Sequence, residues 1–168
     1  MPTGAEEGRA GPPAQLGVGF LLAQVGADSS ARFAARLAGT GLTPPEGALL
    51  RMVAVQQGLN QQTLADQMRV APSRVVAILD SLESKGLVAR RRGATDRRVY
   101  AIDLTPAGRQ SFAELRKVGM AHEKEICEPL DEEQRGVLAR LLTLLADHQG
   151  LTPGVHPGLG NARQEPRP

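Results

Sequence analysis

The sequence predicts a mainly α-helical fold of about six helices and one β-hairpin, arranged as a winged helix-turn-helix. Three observations carry this. Two short helical segments, 61–68 and 72–85, are separated only by the bend Arg69-Val70-Ala71. The second stops at Gly86 and runs into two strand-like segments, 87–92 and 98–104, which flank Gly93-Ala94-Thr95-Asp96-Arg97. Helix-start signals at Thr43-Pro44, Asn60, Pro72, Thr105-Pro106 and Asp131 each precede apolar residues at helical spacing.

Length and composition bound the problem. A chain of 168 residues has room for one domain with a real core. With no Trp, one Tyr and three Phe, that core must be aliphatic. No apolar run approaches the ~18–20 residues that cross a bilayer. The start MPTGAEEGRAGPPAQ has acids and prolines where a secretory signal needs basic and apolar residues, and the lone Cys127 can form no internal disulfide. A cytoplasmic protein without a membrane partner is expected. Charge is unevenly placed: Asn60 to Arg109 holds nine Lys/Arg and five Asp/Glu, whereas Gln110 to Gln149 holds five and eight. A basic working surface beside an acidic scaffold follows.

In chain order, residues 1–14 offer nothing to bury and are expected to be disordered. Residues 15–38 form a first helix carrying Leu16, Phe20, Val25, Phe33 and Leu37; Gly17, Gly19 and Gly26 make it dependent on packing. Thr43-Pro44-Pro45-Glu46 combines an N-cap, a first-turn proline and a capping-box Glu, and the helix it starts carries Leu49, Leu50, Met52 and Val53 until Gly58. Asn60 caps the third helix, with Leu64, Ala65 and Met68 inward. Pro72 opens the fourth, whose buried stripe is Val75, Ile78, Leu79 and Leu82. A long helix from 107 to about 127 sets Phe112, Leu115, Gly119, His122 and Ile126 on a heptad seam. After Pro129, Asp131 caps a last helix to about His148 whose Val137, Leu138, Leu141, Leu142, Leu144 and Leu145 exceed what a lone helix can hide. The Pro/Gly-rich residues 150–168 are expected to be a disordered tail.

Five arginines, Arg90, Arg91, Arg92, Arg97 and Arg98, stand against the single acid Asp96 between Leu87 and Arg98. A hairpin this basic suits a phosphate surface, although charge on an edge strand also serves simply to prevent aggregation. On the fourth helix, the stripe turned inward leaves Ser73, Arg74, Val76, Ala77 and Ser81 outward. Arg74 alone can make a bidentate contact to guanine, Ser73 can bond phosphate, and Val76 can meet a thymine methyl. Asp96 and Arg98 lie on one side of an extended strand, so the carboxylate can hold the guanidinium ready for a narrow minor groove.

The stretch from Leu64 to Thr105 resembles the MarR family of transcriptional regulators, and the likeness extends over roughly 16–149. It rests on Leu64-Ala65, Leu82-Glu83-Ser84-Lys85-Gly86-Leu87-Val88, Arg90-Arg91, Asp96-Arg97-Arg98 and Leu104-Thr105, in that order and spacing. The resemblance implies a domain over 15–149: a winged core at about 43–105, with helices at 15–38 and 106–149 interlocking two subunits into a homodimer. It implies that 72–85 enters the major groove of double-stranded DNA at a pseudopalindromic operator while the wing 87–104 enters the minor groove, where Arg98 is the inserting residue. Arg90, Arg91, Arg92 and Arg97 would hold phosphates. Family members more often have small hydroxyl residues where this chain has Arg74 and Val76, and a basic one at Ala77, so no operator is carried over.

The resemblance also implies a small-molecule effector between the dimerisation helices and the DNA-binding lobe, for which Phe20, Arg32, Phe33, Met52 and His122 are the candidate lining. No cofactor is expected, and the scattered His residues make no metal site. Two other classes stay open: a winged helix that binds protein, and an oxidant sensor at Cys127, whose acidic neighbours Glu125 and Glu128 argue against reactivity. An enzyme lacks any nucleophile–base pair or phosphate-binding Gly motif here.

Overall fold

The computed structural model describes residues 16–56, 58–92 and 100–155. It contains α1 (Val18–Ala38), α2 (Pro44–Val55), α3 (Gln61–Met68), α4 (Pro72–Ser84), β1 (Val88–Arg92), β2 (Tyr100–Leu104), α5 (Pro106–Ile126) and α6 (Glu132–His148). The starts follow the signals in the sequence. Thr43 and Glu46 form the capping box of α2, Asn60 accepts from the Thr63 amide at 2.8 Å, and Asp131 and Gln134 cap α6 reciprocally. Ala71 gives α4 no side-chain cap, leaving Pro72 to start it. At the other end, Gly86 takes φ +68°, its amide bonds to Glu83 and that of Leu87 to Leu82. This Schellman stop turns the chain into the wing.

β1 and β2 pair antiparallel with Val88 opposite Leu104 and Arg90 opposite Ile102. The hairpin base is pinned from below, since the Ile102 amide bonds to the Leu59 carbonyl at 2.9 Å. Val88 and Ile102 thereby enter an aliphatic core with Leu37, Leu49, Leu50, Leu64, Met68, Val75, Leu79 and Leu82. The core sits in the α2–α4 lobe, so the wing and α4 rest on one body.

α5 leaves the wing through a close contact. Thr105 accepts from the Gly108 amide at 2.9 Å, and a Cβ on Gly108 would lie 1.9 Å from the Leu87 carbonyl oxygen. That carbonyl is backbone and already accepts from the Thr105 amide, so it cannot give way cheaply. Gly108→Ala is expected to cost about 3 kcal/mol, seen as a lower urea midpoint at unchanged slope.

The apolar faces differ from the expected scheme in one respect. The α5 seam is covered within the chain: Leu115 is buried, Phe112 packs on the core and His122 meets α1. No residue of α6 is buried, and Val137, Leu138, Leu141, Leu142, Leu144 and Leu145 are exposed, as are Val18, Phe20, Leu21, Leu22 and Val25 on α1. The bare surface is thus α6 with the first half of α1, because three- and four-residue steps on α5 face α1 and α2 instead. Residues 150–155, placed by the sequence in a tail without structure, return to the body: Arg51 donates to the Gly154 carbonyl at 2.7 Å, and Val155 packs against the core.

Candidate nucleic-acid interface

α4 presents Ser73, Arg74 and Ala77 to solvent, with Val76 half-buried beside them. Its inward stripe is the predicted one, Val75, Ile78, Leu79 and Leu82. Ser81 departs from the expected DNA face. Its hydroxyl donates to Glu46 Oε1 at 2.6 Å, which uses it to join α4 to α2.

That junction is the main feature missed in the sequence. Glu46 is only 4% exposed, and both of its carboxylate oxygens accept hydrogen bonds. Lys85 Nζ donates to Oε1 at 2.7 Å and Oε2 at 2.8 Å, Ser81 donates to Oε1, and the Thr43 amide and hydroxyl donate to Oε2 at 2.7 and 3.0 Å. Lys85 also donates to the Gly41 carbonyl at 2.8 Å. Burial alone would raise the carboxyl, but the bonds from Lys85, Ser81 and Thr43 outweigh it and bring its pKa down to about 2. One buried anion therefore joins the start of α2 to the last turn of α4 and fixes how α4 stands on the lobe. The sequence showed Glu46 only as a capping-box residue; the contact to Lys85 spans the lobe and leaves no local signal.

The wing arginines are not equivalent. Arg90, expected on phosphate, is only 25% exposed and pairs with Asp80 and Glu83 on α4. Hydrogen bonding to Asp80, opposed by desolvation and aided by the charges of Glu83 and Asp80, pushes its pKa up. Arg90 is a brace between the hairpin and α4. Strand alternation explains why: Arg90 lies two residues after the buried Val88 and shares its inner face. Arg91 points the other way, is 74% exposed and bonds Asp103 at 2.6 Å. The Arg92 backbone pairs with Tyr100. The Arg92 side chain and Asp96, Arg97 and Arg98 lie outside the described residues.

Between α1, α2 and α5 opens a cleft of about 890 Å³, walled by Phe33, Pro45, Ala48, Phe112 and Leu115, with Arg51 and Arg116 among its lining. A smaller recess of about 540 Å³ adjoins it through Ser30 and Phe33 and includes His122. The His122 ring lies 5.4 Å from that of Phe33 and its Nε2 is 3.0 Å from Ser29 Oγ, while Nδ1 is buried without a hydrogen-bond partner among the described residues. Of the five expected lining residues, Phe33 and His122 are here. Phe20 is out on the bare face of α1, Met52 packs against the core, and Arg32 is held by Asp28 at 2.8 Å and Glu125 at 3.2 Å. Arg51 and Arg116 are the cations the sequence did not mark.

Cys127 is 9% exposed, and its thiol donates to Glu123 at 3.4 Å. Burial, then Glu123, pushes the thiol pKa up, away from the reactive thiolate. The acid responsible is Glu123, not the expected Glu125 and Glu128; Glu125 is taken by Arg32 and Arg36.

Known proteins resemble this arrangement. The MarR family model matches residues 42–100. A protein named for transcriptional regulation of the hcr operon in Thauera aromatica is 35% identical over 113 residues, 67% of this chain and 68% of the relative. The HTH-type transcriptional repressor Rv2887 of Mycobacterium tuberculosis is 32% identical over 128 residues, 76% of this chain and 92% of its own. Its structure in complex with DNA superposes with TM-score 0.67 over 77% of this chain and 98% of Rv2887, and it has also been solved with p-aminosalicylic acid. The repressor CouR bound to a 23-mer DNA duplex gives TM-score 0.69 at 30% identity, over 77% and 92% of the two chains. CouR of Rhodococcus jostii RHA1 has been solved with p-coumaroyl-CoA. With two such relatives matched over two thirds or more of their length, and the helices and hairpin in the same order, the chain belongs to the MarR family of winged helix-turn-helix transcriptional regulators.

Proposed function

We propose that this chain is a homodimeric, sequence-specific DNA-binding repressor that a small aromatic anion releases from its operator. The observation that carries the reading is the exposed Ser73-Arg74-Ala77 face of α4, held at a fixed angle by Glu46 and braced to a basic hairpin by Arg90. Such a helix fits the major groove, with Arg74 reading guanine, while Arg91, Arg92 and Arg97 meet phosphate and Arg98, steadied by Asp96, enters the minor groove. Arg90 and Ser81 are left out of the contact surface. A DNA partner places this work in the cytoplasm.

The bare apolar face shared by α6 and the first half of α1 supports a second copy as its cover. Leu141→Asp combined with Leu145→Asp is expected to give a monomer in sedimentation velocity and to weaken operator binding about a hundredfold or more, since two linked half-sites are lost as a unit. A dimer that persists with both aspartates would overturn this assembly. The apolar cleft with two arginines suits an aromatic carboxylate or thioester, the chemistry seen in complexes of the two relatives. A ligand acts there by favouring a dimer geometry whose wings misfit the duplex. The direct test is a mobility-shift titration on the upstream DNA, with and without salicylate. A retarded band that salicylate disperses supports both halves of the reading; a band that it leaves untouched restricts the reading to DNA binding.

A further inference from the structure

Residues 150–155, after the Gln149 cap of α6, have a built shape. Gly150 takes φ +64°, its amide bonds to Asp147 and that of Leu151 to Ala146, completing a Schellman stop. Thr152-Pro153-Gly154-Val155 then closes a tight turn: Pro153 in second place, Gly154 third at φ +74°, and the Val155 amide on the Thr152 carbonyl at 3.2 Å. A turn of this type needs a positive φ at its third residue, which glycine supplies at least cost. Two arginines hold the segment from the DNA-binding lobe. Arg69 donates to the Gly150 carbonyl and Arg51 to that of Gly154, while Val155 packs on the core. Gly154 and Arg51 both line the 890 Å³ cleft.

We propose that the turn Thr152–Val155 is the resting partner of Arg51 at the cleft mouth, and that an anionic ligand competes with it for that guanidinium. The inference rests on the reading of this cleft as the effector site. A guanidinium whose Nη1 is bonded to a neutral carbonyl is in a weak arrangement, and a carboxylate makes the stronger, charge-assisted bond to the same group. The turn therefore lowers the affinity of every ligand by the fraction of time it is docked, and favours those with an anion to take over Arg51. It also couples ligand entry to the position of α6, because the turn follows directly from that helix. The two glycines are what make this possible: a Cβ on Gly154 would lie 2.6 Å from Arg51 Nη1 on a backbone that already disfavours a side chain.

The test uses the full chain, Gly154→Ala and Arg51→Met, with 2-naphthoate as probe. Gly154→Ala removes the turn and keeps the cation. It is expected to speed hydrogen exchange at Val155 and to tighten 2-naphthoate about tenfold. Arg51→Met is expected to speed the same exchange but to weaken the probe. Unchanged exchange and unchanged affinity in Gly154→Ala would overturn the proposal. Affinity lost in Arg51→Met but unaltered in Gly154→Ala would keep the cleft as the effector site while removing the competition. Faster exchange with no probe binding in any of the three proteins would overturn the competition and count against the aromatic-anion reading of the cleft itself.

Discussion

Glu46→Ala is expected to lower stability by about 3–5 kcal/mol, enough to unfold a marginal domain. The substitution removes the α2 capping box and the shared anchor of Ser81 and Lys85 in one step. Lys85→Met tests the other side: a carboxylate 4% exposed keeps its two Thr43 bonds and Ser81 but loses the cation that pairs with it. The sign of the pH dependence follows from the depressed pKa. The carboxyl is held at about 2 against an ordinary 4.5, so its contribution is fully present above pH 4.5 and disappears as pH falls from there towards 2. The shift corresponds to about 3 kcal/mol at neutral pH. In Lys85→Met the Glu46 pKa rises, so acid unfolding followed by circular dichroism should begin at higher pH than in the parent. An acid limb that does not move would show that Lys85 is not what holds the anion.

Arg98→Ala is expected to weaken operator binding by about 2–3 kcal/mol, roughly a hundredfold, if a pre-oriented guanidinium enters the minor groove. Arg74→Ala should cost about 1–3 kcal/mol and relax discrimination at one base pair, whereas Arg91→Ala should weaken all sequences alike and lower the salt slope by about one. Arg90→Ala separates brace from contact. As a brace its loss leaves Asp80 and Glu83 as bare acids on the recognition helix, so affinity falls without any drop in the salt slope expected for a lost phosphate contact. Isothermal titration or fluorescence anisotropy at several salt concentrations distinguishes these patterns.

What the sequence made legible was local. The caps at Thr43, Asn60, Thr105 and Asp131, the stop at Gly86 and the stripe Val75-Ile78-Leu79-Leu82 each depend on neighbours within a turn or two, and each stands where the spacing put it. Contacts between elements were less visible. Glu46 and Lys85 meet only after α2 and α4 pack, so nothing beside either residue announces the pair. Arg90 was legible in principle: the period of two from Val88 assigns it to the inner face, and Asp80 and Glu83 sit one helical turn apart below it. Charge content alone hides that difference, because it ignores direction. In the cleft, pattern along a helix points to Phe20 and Met52, but the helix faces turn one outward and the other into the core.

The measurement that bears most directly on the central claim is quantitative footprinting of the purified protein on the DNA upstream of its own gene, repeated across a salt titration. The expected result is protection of an imperfect palindrome with half-sites about one helical turn apart, ~34–36 Å between centres. Affinity should fall steeply with salt yet stay at least about a thousandfold above that for bulk DNA. Uniform, weak protection with no preferred fragment would contradict the claim, and would return α4 and its wing to the alternative of a protein-binding surface.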